Sequence, residues 1–230
     1  MRVAFCIRGH IRGGLNDSQL KDYLNLLKKQ GHTIDLFLHT WTESEAKSSY
    51  RKLDKISSSS VTPLLLKDYF SEHNIKQIMI DDDAELKLHG NLEGKINTCP
   101  KIAWKRMWAG KFKLASHLYH NHTYEYDLVV STRYDKFTTQ VCYTPVKNLL
   151  KMTTCENGLS LKYPQYYRYI KGIDNYYCGS IQTIYDITCA FHYSLDEIAS
   201  KYIIRSFHEE LFYKYSYIDS HYVMFHTLKV

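Results

Sequence analysis

The chain has 230 residues, of which 44% are hydrophobic and 23% charged. That is enough apolar side chain for a buried core and too little bias for a disordered or fibrous protein, so one domain spanning 1–230 is expected. The longest apolar runs, such as Val3 to Ile7 and Leu64 to Leu66, fall far short of the roughly 20 residues that cross a bilayer, so no membrane span is expected. The net charge of +6 is scattered and forms no basic stripe, which gives no reason to expect a nucleic-acid partner. Met1-Arg2 leads directly into a short apolar run closed by Arg8, too short for a secretory leader. The six cysteines form no C-x-x-C pair and no zinc-spaced quartet, and read as reduced thiols in a cytoplasmic compartment.

Val3 to Ile7 has the continuous apolar character of a strand buried on both faces, ending at Arg8-Gly9-His10. From Asp17 or Ser18 to Gln30, the residues Leu20, Tyr23, Leu24 and Leu27 recur at helical spacing, and Gly31 follows as a stop. Ile34 to Leu38 is a second strand, which completes a βαβ unit with parallel strands. Residues 42 to 62 are polar and serine-rich and read as loop or frayed helix. Pro63 to His73 is predicted helical, Ile75 to Ile80 a third strand closed by Asp81-Asp82-Asp83, Lys101 to His120 a long helix, and Tyr126 to Val130 a fourth strand. Beyond Asp135 come short tyrosine-rich segments, Leu159 to Tyr163, Tyr166 to Ile170 and Tyr176 to Ile181. Capping boxes at Ser194-x-x-Glu197 and Ser206-x-x-Glu209 then predict helices starting near Leu195 and Phe207. The alternation predicts an α/β fold, a mostly parallel sheet with helices on both faces.

In such a sheet, ligands bind beyond the carboxyl ends of the strands. Those ends present Arg8-Gly9-His10-Ile11-Arg12, then His39-Thr40-Trp41, the aspartates 81 to 83, and Arg133-Tyr134-Asp135. Backbone N–H groups and arginines suit phosphate, an indole suits a base or sugar, and carboxylates suit ribose hydroxyls or a divalent ion. The set fits a nucleoside diphosphate. Trp104, Trp108 and Phe112 share one helix face and read as core, while Lys105 and Lys111 are expected toward solvent or a phosphate.

The N-terminal R-G-H-I-R, the D-L-F-L-H-T-W strand, the W-K-R-M-W-A-G-K-F helix and Y-D-L-V-V-S-T-R-Y-D together resemble glycosyltransferases of capsule, lipopolysaccharide and large-virus gene clusters. Members of that group carry "IHTW" and "YDxVIxxRxD" strand ends. The resemblance is good over about residues 1 to 135 and looser beyond, through Tyr177-Cys178-Gly179-Ser180 and Glu209-Glu210. It implies a GT-A-like, Rossmann-like nucleotide-sugar fold, with residues 1–135 as the donor half and 136–230 as the acceptor half. It implies a nucleotide-sugar donor and a glycan or glycoprotein acceptor. On the donor side it places Arg8, Gly9, His10, Arg12, Trp41, Trp108, Lys111 and Arg133. Asp135, Glu209 and Glu210 are the catalytic candidates. The fold's D-x-D motif corresponds to Arg133-Tyr134-Asp135 here, so a cation replaces one carboxylate. Asp135 is the expected ligand for Mn2+ or Mg2+, unless Arg133 itself neutralises the diphosphate.

Glu209 is also the capping-box partner of Ser206, which leaves Glu210 the freer carboxylate. The tyrosines of segments 159–181 suit carbohydrate stacking or core equally. Two other readings are open. Cys6 to Arg12 fits C-x5-R, the spacing of a cysteine phosphatase, although no D-P acid loop accompanies it and no Ser or Thr follows the Arg. The other is a sugar- or nucleotide-binding module without catalysis.

Overall fold

The computed structural model describes residues 1–16, 18–46, 58–96, 99–136 and 176–206. Strand β1, Arg2–Arg8, lies between two parallel neighbours, β2 (Thr33–Trp41) and β6 (Leu128–Arg133). Its apolar run is required by that position, since every side chain from Val3 to Ile7 meets a covered face of the sheet. Strand β3, Asn74–Asp81, pairs with β2, and β7, Tyr176–Gly179, closes the other edge antiparallel to β6. The five-stranded order is β3-β2-β1-β6-β7. A separate two-stranded ladder joins β4, Lys95–Ile96, to β5, Cys99–Pro100.

Alternation along β1 divides the core into two layers. Val3, Phe5 and Ile7 pack with Leu20, Tyr23, Leu24 and Leu27 of helix α1 (Gln19–Lys29) and with Leu66 of α2 (Pro63–Tyr69). Ala4 and Cys6 face the other way, against Leu114, Ala115 and Leu118 of α3 (Lys101–Asn121) and Ile181 and Ile184 of α4 (Ile181–Tyr193). Trp108 joins α3 to α4 and α5 (Leu195–Ser206) through Phe191, Leu195 and Ile198. The fold is thus α/β, with helices on both faces of a mostly parallel sheet. No helix among the described residues is long and apolar enough to cross a membrane.

Several boundaries differ from the sequence reading. Strands β2 and β6 run three residues further than expected, so His39, Thr40 and Trp41, and likewise Ser131, Thr132 and Arg133, are in the sheet and not in the loops after it. Parallel ladders on the neighbouring strands carry these polar residues along. Helix α4 was not expected. Ser180 starts it, its hydroxyl accepting the Thr183 N–H, and Ile181, Ile184, Ile187 and Phe191 supply the buried stripe. The helix expected near Leu195 is present. The one expected near Phe207 lies outside the described residues, as do the segments Leu159 to Tyr163 and Tyr166 to Ile170. Lys105 and Lys111, expected outside, are both buried. Lys105 binds Asp196 and the His89 carbonyl, while Lys111 lies over the Trp108 ring. An ammonium can enter such a site when a carboxylate or an aromatic face receives it.

At the opposite end of the sheet, Asp35 interrupts the apolar run of β2. It is buried and accepts hydrogen bonds from Arg2, Asn74 and the Tyr126 hydroxyl. Burial opposes its ionisation, and these donors more than offset that, holding the carboxyl below its usual range.

Helix α3 is seated on β2 by one glycine. A Cβ at Gly110 would lie 2.6 Å from Cε1 and 2.7 Å from Nδ1 of the His39 ring. Glycine-to-alanine in a helix interior ordinarily stabilises by about 1 kcal/mol, whereas overpacking a filled interior costs about 1–3 kcal/mol. Gly110→Ala is therefore expected to lower the urea midpoint, and a variant more stable than the parent would show that the ring does not fill this space.

Candidate functional site at the ends of strands β1 and β6

The strand order places β2 and β6 on opposite sides of β1, with α1 on one face and α3 on the other. The reversal between β1 and β6 is a topological switch point, the place where open α/β sheets commonly bind their ligands. The register sets Arg8 of β1 beside Arg133 of β6 at the carboxyl ends of both strands. Like charges on adjacent strand positions repel, so this pairing is a local cost that a nearby anion relieves.

After Arg8 the chain turns at Gly9, whose φ of +98° suits a residue without a side chain. Gly9 N–H donates to the His39 carbonyl at 3.2 Å, and Arg12 N–H donates to the Ser44 carbonyl at 2.9 Å. The loop after β1 is thereby tied to the segment after β2. Arg12 has a φ of +50°, a left-handed conformation that costs a non-glycine residue about 1 kcal/mol or more. Its guanidinium holds the residue there. Nη1 donates to Oδ2 of Asp135 at 2.6 Å, and Nε lies 3.7 Å from Glu45.

Asp135 follows β6 in a single 3-10 turn, Tyr134–Lys136. The same Oδ2 accepts from Arg133 Nη2 at 2.5 Å, so two guanidiniums share one carboxylate oxygen. Asp135 is buried, which alone would raise its pKa. The charges and hydrogen bonds of Arg133 and Arg12 reverse the direction and hold the carboxyl below its usual range. The two loops are also in backbone contact, since a Cβ at Gly14 would lie 2.6 Å from both the carbonyl carbon and oxygen of Tyr134.

His10 stands at the rim of this group. Its Nδ1–H donates to the Glu43 carbonyl at 3.1 Å, which leaves Nε2 as the basic nitrogen, and its ring centroid is 5.8 Å from that of Trp41. Burial lowers its pKa to about 4, and Arg12 and Arg133 act in the same direction. The imidazole is neutral at pH 7.

Of the donor-side candidates, Arg8, Gly9, His10, Arg12 and Arg133 come together with Asp135 around these loops. Trp41 is buried at the end of β2, with its ring between His10 and His39, 5.0 Å from the latter. Trp108 and Lys111 are placed differently. Trp108 is fully buried and stacks on Phe191 at 4.2 Å, and the Lys111 ammonium lies 3.8 Å from the Trp108 ring and 5.1 Å from that of Tyr177. Their described contacts are core contacts between α3, α4 and β7. Glu209 and Glu210 lie outside the described residues.

The third strand end is occupied by structural bonds. Asp81 accepts from His39 Nε2 at 3.0 Å and from Lys113, and these two, set against burial, bring its pKa to about 2. Asp83 pairs with Arg106 at 3.1 Å. Cys6 sits inside β1 against Phe37, Leu114 and Val129, and burial pushes its thiol pKa up. A nucleophilic thiolate needs the reverse shift. Sequence reasoning missed Ser44 and Glu45, which hold Arg12 from the polar segment after β2. Their only signal was an acidic residue close behind a strand end.

No family model matches the chain, and no curated protein matches it. A functional reading therefore stands on the geometry and on the sequence resemblance described above.

The Asp135 cluster makes stability depend on pH. Its folded-state pKa is depressed, so the stabilisation is present above the unfolded value of about 3.9 and is lost as pH falls through the folded one. Asp135→Asn is expected to lose about 2–3 kcal/mol at pH 7, the low side for a buried pair because both guanidiniums reach water. The gap in urea midpoint between parent and variant should be constant above about pH 5 and narrow progressively as pH falls below about 3.9; a gap that does not narrow there would contradict the ion-pair account.

Proposed function

We propose that the chain is a glycosyltransferase that moves a sugar from a nucleoside diphosphate donor to a hydroxyl of a glycan or glycoprotein. The observation that carries the reading is the grouping of Arg8, Arg12 and Arg133 with the buried Asp135 at the switch point between β1 and β6. Three guanidiniums grouped with a buried carboxylate beside a glycine turn suit a ligand carrying several negative charges at close range.

In the proposed reaction the bond from the anomeric carbon to the diphosphate oxygen breaks, and a bond to the acceptor oxygen forms. Negative charge develops on the departing diphosphate, and fixed guanidiniums stabilise it most in the transition state. The acceptor hydroxyl must give its proton to a base. Glu209 or Glu210, in the tyrosine-rich half, is proposed for that role. The neutral His10, half-buried at the rim and backed by Trp41, is proposed to meet a ribose or sugar hydroxyl. The four described cysteines are free thiols, in keeping with a reducing, cytoplasmic setting.

A thermal-shift panel of UDP-, GDP-, CMP- and dTDP-sugars tests the reading. A donor at a hundred times its dissociation constant adds about 2.7 kcal/mol of stability, a readily measured rise in melting temperature. One nucleotide class should give this rise, and Arg12→Ala and Arg8→Ala should abolish it with the far-ultraviolet spectrum unchanged. If no sugar nucleotide moves the melting temperature of the parent, the reading is wrong.

A further inference from the structure

We propose that this site grips a diphosphate without a divalent cation. Arg12 and Arg133 supply the positive charge, and Asp135 serves as a positioning residue that holds the two guanidiniums side by side. The inference rests on the nucleotide-sugar reading above and departs from the metal-binding role expected for Asp135 from the sequence.

The donor set is the first argument. A magnesium or manganese ion takes near-octahedral oxygen ligands, usually from one or two carboxylates together with phosphates and water. Oδ2 of Asp135 already accepts from Arg12 at 2.6 Å and from Arg133 at 2.5 Å. The next carboxylate, Glu45, faces the Arg12 guanidinium at 3.7 Å. The position that would complete a carboxylate pair is Arg133 itself. Among the described residues, no group of three His, Cys, Asp or Glu side chains is placed to hold a metal. A divalent ion approaching Asp135 would meet two permanent positive charges at hydrogen-bond distance from that carboxylate. These residues do not fit a metal.

They do fit an anion with two phosphoryl groups. A guanidinium is planar, permanently charged and forked, so each can donate paired N–H bonds to phosphate oxygens. Sharing one carboxylate oxygen brings the two forks together before any ligand arrives. Arg12 is further fixed by its left-handed backbone and by its N–H bond to Ser44, and the Gly14–Tyr134 contact sets the distance between the two loops. Ordering is done in folding, so less entropy is lost on binding. Asp135, buried beneath both arginines, acts through them.

Calorimetric titration of the full chain with inorganic pyrophosphate, in EDTA and in excess manganese, tests this directly. Binding is expected in EDTA, with no gain from manganese. Arg133→Lys, which keeps the charge and loses the fork, should weaken binding about tenfold. Asp135→Asn should weaken it by a similar factor and leave it independent of metal, and Asp135→Glu should recover part of the loss. Binding about tenfold or more tighter in manganese than in EDTA would overturn the proposal and restore a metal site. Absence of pyrophosphate binding by the parent in both conditions would overturn it too. If the parent binds pyrophosphate in EDTA but none of the sugar nucleotides, the clamp stands and the donor reading falls. The comparison of metal conditions uses the parent alone, so it decides even if a variant fails to fold.

Discussion

Strand β1 is hydrogen-bonded along both edges and covered on both faces, and this constraint governs the rest of the molecule. Its backbone polar groups are consumed by β2 and β6, and its side chains from Val3 to Ile7 have no route to water. Polar chemistry can therefore emerge only where the strand stops. Arg8 is the last residue of the ladder, and from it onward the chain carries the polar residues grouped at the strand end. The same constraint acts on β6, whose register brings Arg133 to the same level. Two central strands that end together bring their charged residues to one place.

The two ends of the sheet use buried carboxylates for different ends. Asp35, at the amino end, gathers Arg2, Asn74 and Tyr126 from three separate parts of the chain and ties the strand starts together. Its donors are varied and its position borders no switch point. Asp135, at the carboxyl end, gathers two arginines on one oxygen. Asp35 is satisfied by one guanidinium together with two neutral donors. A carboxylate that assembles like charges keeps them poised against a third, anionic partner.

Much of this was legible in the sequence because periodicity reports burial. The apolar run of β1, the helical spacing of Leu20, Tyr23, Leu24 and Leu27, and the strand-helix alternation up to Asp135 each reflect a face that must be covered. The strand ends were less legible: Thr40, Ser131 and Thr132 look like loop residues, yet neighbouring ladders carry them into the sheet. Helix α4 was obscured by its Ile, Thr and Tyr content, which suits strands as well. Arginines and Asp135 could be named as candidates from their positions after apolar runs. That Arg12 and Arg133 converge on one oxygen could not, because the residues are more than 120 positions apart and only the order of strands brings them together. Lys111 shows the reverse case: a lysine beside a tryptophan on a helix carries no sequence mark that distinguishes an aromatic seat from a ligand contact.

The contact between Gly14 and the Tyr134 carbonyl has a consequence for how this protein can change over time. Where only a hydrogen atom fits, main chain rests on main chain, and the gap between the two loops no longer depends on which rotamer any neighbour adopts. The helices that pad the sheet are then free to exchange one apolar residue for another, and surface loops to lengthen or shorten, without altering how far apart the two charged forks stand. Tolerance in the bulk of the chain and intolerance at a single small residue are, in this arrangement, the same property seen from two sides.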